Sequence, residues 1–345
     1  MLISYITTPF KKGIKKNHSN QIEAIKIAEI FDELGYIVDI YNYQFELSIK
    51  VENYDVIFGI GKLFENLIQK KEKSKKYIFY ATGAYFCFAN SSELERLRNL
   101  YNRKNIHLKP RRFILNPTYY ATQYADAIII TGNDWTISTY INSKIPIYKV
   151  PVSVYDINWK NTIEKNFTKS KKNFLWFGSS GLVHKGLDLC LEVFKDLEDY
   201  NLYICGPKED DFFRVYKEEF ELPNIHYKGF VDINSEEFKN ITEKCVFSIF
   251  PSCSEGQSGS VLTTMSVGLI PVVTQNVGVD IKNKGFIISE KIDNIKEKIM
   301  MVSNLNYEEL ANLSLENIKY IQENHKIKHF KDKMKENLIQ ILGEK

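Results

Sequence analysis

Lys185 and Glu255 are the two charged residues whose settings in this 345-residue chain point to chemistry. Each precedes a glycine and stands in a loop between an apolar run and a helical pattern. Around Lys185 the chain reads NFLWFGSSGLVHKGLDLCLEVF. That is an apolar strand, a loop holding Gly178, Ser179, Ser180 and His184, and a helix carrying Leu187, Leu189, Leu191, Val193 and Phe194. Around Glu255 it reads CVFSIFPSCSEGQSGSVLTTMSVGLIPVVT. The run over 245–250 predicts a buried strand, ended by Pro251 because proline cannot donate to a sheet ladder. A helix over 260–267, closed by Gly268, then leads to a second strand over 269–273. An ammonium at a helix N-terminus, beside unpaired backbone N–H groups, is suited to a phosphate anion. A carboxylate accepts hydrogen bonds from hydroxyls, and glycines such as Gly256 and Gly259 let a ligand approach the backbone. The plainer reading of either stretch is a strand-to-helix turn with a solvent-facing charge.

For two such loops to meet, their strands must lie in one parallel sheet, where ligands bind beyond the carboxyl ends of strands. The first half predicts strands over 2–6, 36–40, 55–60, 77–80 and 127–131, alternating with helical segments, which argues for a parallel sheet with helices on both faces. Asn20 with Glu23 predicts a capping box for a helix that ends at Gly35. The loop before it, PFKKGIKKNHSN, contains Gly13 and His18 and lacks G-x-G-x-x-G, so nothing points to a dinucleotide. Thr82 and Gly83 form a turn after the fourth strand, Tyr85, Phe86 and Phe88 read mostly as core, and Ser92 with Glu95 predicts the cap of the next helix. Arg103, Arg111 and Arg112 around IHLKPRRF suit bidentate phosphate recognition, although surface arginines without a ligand are commoner. In the second half, NLYICGPKED and NIHYKGFVDINSEEF each predict a strand and a turn, the first at Gly206 and the second running on into Phe230 and Val231. Helical segments over 294–323 and 326–342 finish the chain. The polar run over 158–172 is the most linker-like, giving a domain over 1–157, a linker over 158–172, a domain over 173–323 and a final helix over 324–345.

Composition narrows the classes. No apolar run approaches the roughly 20 residues that span a bilayer, and MLISYITTPF lacks a secretory pattern, so a cytoplasmic protein is expected. Cys87, Cys190, Cys205, Cys245 and Cys253 form no C-x-x-C pair and read as small buried apolar residues. No acidic grouping suggests a divalent ion, so neither metal nor cofactor is expected. The net charge of +3 hides an asymmetry, +7 over residues 1–155 and −4 over the remainder. Basic clusters at Lys11, Lys12, Lys15 and Lys16, over 70–76, and at Arg111 and Arg112 suit an anionic membrane surface or a phosphorylated acceptor, or are a solvated face. No nucleic-acid partner is expected.

These stretches resemble the GT-B glycosyltransferases, most closely the large family 4 of retaining enzymes. Glu255 and Gly256 match the first half of that family's E-G-x-x-x-x-x-x-E pattern, and Thr263 stands where its second glutamate would be. Gly178, Lys185 and Gly186 match its first C-terminal motif, with Ser179 where arginine is usual. The resemblance implies an α/β chain of two Rossmann-like domains facing across a cleft, with the final helix crossing back to the N-terminal domain. It implies a nucleotide-sugar donor, with Lys185 on the diphosphate and Glu255 on the sugar as the catalytic pair. Gly178, Ser179, Ser180, His184, Gly206, Phe230 and Val231 would surround that donor, together with Gly256, Gln257, Ser258, Gly259 and Thr263. Gly13, His18, Thr82 and Gly83 would face the acceptor, a hydroxyl of a glycan or lipid-linked saccharide. Retention of configuration without a metal is implied as well. Ser179 and Thr263 leave open a binding subunit that has lost catalysis, and another GT-B enzyme, such as a nucleotide-sugar epimerase, would need a carboxylate acid/base set that the sequence does not reveal.

Overall fold

Short strands buried from end to end need helices on both faces of their sheet, and the computed structural model has that construction. It describes residues 1–14, 18–44, 49–141, 143–157 and 165–343. The chain divides into two units, one of Met1–Phe86, Ile114–Tyr155 and Asn324–Lys345, the other of Cys87–Phe113 and Asp156–Glu323.

The first unit holds six parallel strands, β1 (Leu2–Tyr5), β2 (Asp39–Asn42), β3 (Val56–Gly59), β4 (Lys76–Ala81), β5 (Ala127–Thr131) and β6 (Ile147–Val150), in the order β2-β1-β3-β4-β5-β6. Strand periodicity sorts its side chains into two cores. Ile3, Tyr5, Phe58, Ile78 and Tyr80 enter one core, while Leu2, Ile57, Tyr77 and Phe79 enter the other. The final helix, Ile327–Leu342, buries Phe330, Met334 and Leu338 in the first of these.

The second unit holds six more parallel strands, β7 (Asn173–Phe177), β8 (Asn201–Cys205), β9 (Ile225–Gly229), β10 (Phe247–Phe250), β11 (Ile270–Val273) and β12 (Phe286–Ile287). Their order is β12-β11-β10-β7-β8-β9. Strand order reverses between β7 and β10, so the loops leaving those two neighbours diverge to opposite faces and open a crevice at their carboxyl ends.

Several expectations are corrected. The helix Asn20–Glu33 has Ser19 as its N-cap, without a side-chain cap bond, and Glu23 closes no capping box. It is buried, accepting from the Ser153 N–H at 2.7 Å and Oγ at 2.8 Å, and burial pushes its carboxyl up to about 7. Ser92 and Glu95 lie inside the helix Phe86–Lys104, because the buried face formed by Ala89, Glu93, Arg96 and Leu100 carries the helix past them. That face packs on the second unit, which is why residues 87–113, expected in the first domain, cluster with the second. Of the expected linker, residues 158–164 lie outside the described residues, as do Lys15 and Lys16 of the basic cluster. From Lys165 onward the segment is packed, with Lys165, Phe167 and Ser170 buried and a short helix at Phe167–Ser170. Cys87 is exposed, whereas the other four cysteines are buried, and all five are free. Among the described residues no helix is long and apolar enough to cross a membrane.

Candidate active site

The loops after β7 and β10 bring Lys185 and Glu255 together. Lys185 Nζ donates to Glu255 Oε1 at 2.6 Å, and Ser252 Oγ donates to the same oxygen at 3.0 Å. The loop placement has local causes. Trp176, a fully buried residue of β7, donates from its indole N–H to the Lys185 carbonyl at 3.2 Å, and its ring fills the space that a side chain at Gly178 or Gly206 would need. Gly186 is the N-cap of the helix Leu187–Lys195 at φ 75°, packed against the Pro251 carbonyl, so only glycine fits there without strain. On the other loop, the Glu255 N–H donates to Asn276 O and the Ser258 N–H to Val277 O, both at 2.9 Å.

Lys185 is 4% exposed and the Glu255 side chain 14%. Burial raises the cost of charge on Glu255, yet Lys185, then His184 and Arg112, outweigh it and bring the carboxyl down to about 2. The two side chains form an ion pair in which each charge offsets the other's desolvation. Among the described residues, its chain neighbours and the helix's own backbone aside, nothing lies within 4 Å of where a Cβ at Gly259 would stand, so the N-terminus of the helix Gly259–Ser266 is left open there. Its first-turn N–H groups have no partner within the helix. A cation, a carboxylate and open amides in one crevice can bind an anion beside a polyol.

His184 sits behind this pair. Its Nε2 lies 2.6 Å from the Ser254 carbonyl, an acceptor, so the proton is on Nε2 and the lone pair on Nδ1. Burial holds its pKa down at about 4. Nδ1 faces Glu93 Oε2 at 3.9 Å, and among the described residues neither atom has a hydrogen-bond partner.

A set of charges, of which sequence reasoning singled out only Arg103 and that for a phosphate, ties the two loops together. Arg96, 1% exposed, donates to the Val183 carbonyl at 3.3 Å in one loop and to the Pro251 carbonyl at 2.8 Å in the other. Burial works against its charge, but Asp188 and Glu290 prevail and hold its pKa up. Asp188, fully buried, also binds Arg103 at 2.5 Å. The available signal was spacing: 89, 93, 96, 100 and 103 fall on one helical face, and three of those positions are charged.

The remaining expected residues are placed as follows. Ser179 and Ser180 are exposed beside Gly178, and Gln257, Ser258 and Thr263 lie on the Glu255 loop and its helix. Gly206 follows β8; past β9, Phe230 is 73% exposed while Val231 is buried among Phe238 and Ile241. Gly13, His18, Thr82 and Gly83 belong to the first unit. His18 Nδ1 accepts from the Asn20 N–H at 3.2 Å, and the Gly83 carbonyl accepts from Tyr140 Oη at 2.9 Å. Among the described residues no group of three or more His, Cys, Asp or Glu is arranged to hold a metal ion.

Residues 171–312 match the family model described as glycosyl transferases group 1. No curated protein sequence matches the chain. Among solved structures, a sucrose-phosphate synthase from Thermosynechococcus elongatus aligns with 11% identity and a TM-score of 0.68, covering 99% of this chain and 98% of that one. A glycosyltransferase from Rickettsia africae aligns with 12% identity and a TM-score of 0.65, covering 100% and 99%. HepE from Anabaena, solved in complex with UDP and glucose, aligns with 11% identity and a TM-score of 0.62, covering 98% of each chain. At such identities the likeness is one of fold, and the fold is GT-B.

Proposed function

We propose that this chain, which matches the glycosyl transferases group 1 model over residues 171–312 and has a GT-B fold, is a sugar-transferring enzyme whose donor is a nucleoside diphosphate sugar held at Lys185 and Glu255. The single observation that carries this reading is the 2.6 Å contact between these two side chains at the switch point of the second sheet. Lys185 neutralises the diphosphate as charge builds on the leaving group, assisted by the open amides at Gly259. Glu255, held anionic, accepts hydrogen bonds from sugar hydroxyls and orients the ring. The acceptor is a hydroxyl of a glycan or lipid-linked saccharide. Its oxygen bonds to the anomeric carbon on the face from which the nucleoside diphosphate departs, so configuration is retained. The acceptor proton passes to a phosphate oxygen of the leaving group, which explains why the site needs no dedicated base. Charge is neutralised by Lys185 and backbone amides without a metal ion. The proposal includes a cytoplasmic enzyme, touching an anionic membrane surface through the exposed Lys70, Lys73 and Lys76 of the first unit.

The test is nucleotide release from UDP-, GDP-, ADP-, dTDP- and CMP-sugars, with and without candidate acceptors and with a chelator present. Selective, chelator-insensitive release of one nucleoside diphosphate supports the reading. Binding of a donor without release under any condition favours the binding subunit that Ser179 and Thr263 bring to mind.

A further inference from the structure

Lys185 brings one positive charge to a ligand group that leaves with more than one negative charge, and Glu255 already occupies that lysine. The cations around the crevice can be taken in turn. Arg96 and Arg103 are committed to Asp188, Glu290 and Glu192. Arg111 is held by both oxygens of Asp211, each at 2.8 Å. Arg112 differs: it is exposed, and among the described residues its guanidinium makes no hydrogen bond or ion pair.

Its backbone is nonetheless fixed. Glu93 Oε1, on the buried face of the helix Phe86–Lys104, accepts from the Arg112 N–H at 2.8 Å and from the Arg111 N–H at 2.7 Å. Its aliphatic stem lies over the Gly181 turn: a Cβ at Gly181 would stand 2.6 Å from Arg112 Cγ and 3.0 Å from Cδ. Gly181 has φ 90°, so this turn is open to a crossing side chain only because it is glycine. The charge at the end of that stem acts on both Glu255 and His184. An arginine with a positioned stem and an unoccupied planar fork, over the loop that presents Lys185, has the form of a phosphate clamp.

We infer that Arg112 is a donor-binding residue, placing its guanidinium on the diphosphate over the Gly181 turn as the second cation beside Lys185. The inference rests on the proposed nucleotide-sugar reading of the same site. It assigns to the segment 87–113 a part in binding the donor, and it offers a source for the positive charge that Ser179 does not supply in the β7 loop.

The experiment is calorimetric titration of UDP, GDP, ADP and dTDP, and of uridine, guanosine, adenosine and thymidine, into the wild type, Arg112→Gln and Arg112→Lys. For the diphosphate that binds the wild type, Arg112→Gln is expected to weaken affinity about 10- to 100-fold, the loss of one charge-assisted contact. Binding of the matching nucleoside should stay as it was, Arg112→Lys should recover part of the loss, and the dependence of affinity on salt should flatten in the Gln variant. Wild-type affinity for the diphosphate in Arg112→Gln overturns the assignment while leaving the functional reading in place. Equal loss for nucleoside and diphosphate overturns it too, since that would mark a structural role. A wild type that binds none of the four diphosphates overturns the functional reading itself, and Arg112 with it.

Discussion

Replacing Lys185 by Met removes a charge but little volume, and leaves Glu255 as a largely buried carboxylate without its main counter-ion. In the native protein that carboxyl titrates at about 2 against an ordinary 4.5, with Lys185 the largest of the influences that lower it against burial. A group whose folded pKa is depressed contributes stability that is complete above its unfolded value and is lost as pH falls toward the folded one. The difference corresponds to about 3 kcal/mol, present above pH 5 and lost progressively toward pH 2. Breaking a buried pair on one side costs about 3–5 kcal/mol, so Lys185→Met should be destabilised by that order at pH 7. The gap between variant and wild type should close by most of that amount as pH falls to 3. Urea unfolding at several pH values, followed by tryptophan fluorescence, reads both curves. Many carboxylates contribute to acid unfolding of either protein, but their effects cancel in the difference. A gap of constant size from pH 7 to pH 3 would refute the coupling between Lys185 and Glu255.

Two further substitutions test buried polar groups. Glu93→Gln keeps an oxygen to accept from the Arg111 and Arg112 N–H groups and turns a donor toward the lone pair of His184 Nδ1, so the thermal midpoint should rise by about 2–4 °C per kcal/mol gained; calorimetry showing a fall would contradict the tautomer assigned to His184. Lys165 is buried and donates a long hydrogen bond to the Gly268 carbonyl at 3.4 Å, and burial lowers its pKa from 10.5 to about 7. Between those two values the unfolded chain holds the extra proton, so wild-type stability should rise with pH over that range. Lys165→Met should be more stable than the wild type at pH 7, with the advantage shrinking by pH 10, and urea midpoints that keep a fixed separation would count against it.

Much of this arrangement was legible in the residues. The strand-loop-helix units around Lys185 and Glu255 are local patterns, and the glycines that close them are demanded by conformation or by crowding against Trp176 and Pro251. That the two loops face one another follows from strand order, which no local pattern states; the reversal between β7 and β10 has to be seen. The helix Phe86–Lys104 was misread for a related reason. Ser92 and Glu95 are good cap residues by local chemistry, but the helix is stabilised by a buried face whose partners, Asp188, Glu192 and Glu290, lie more than eighty positions away. Glu23 fails as a cap in the same way, because its partner Ser153 lies 130 positions further along the chain. Arg112 was visible as half of an arginine pair, yet only the neighbours distinguish it from Arg111, which is spent on Asp211.

The most direct test of a nucleotide-sugar site at Lys185 and Glu255 is the thermal midpoint of the wild type and of Lys185→Ala across UDP-, GDP-, ADP-, dTDP- and CMP-sugars. A ligand at a hundred times its Kd stabilises the native state by about 2.7 kcal/mol, which reads as several degrees. The account predicts a selective shift with one class of nucleoside diphosphate sugar in the wild type, lost in Lys185→Ala although that variant still unfolds cooperatively. No shift with any donor, or the same shift in both proteins, would contradict it.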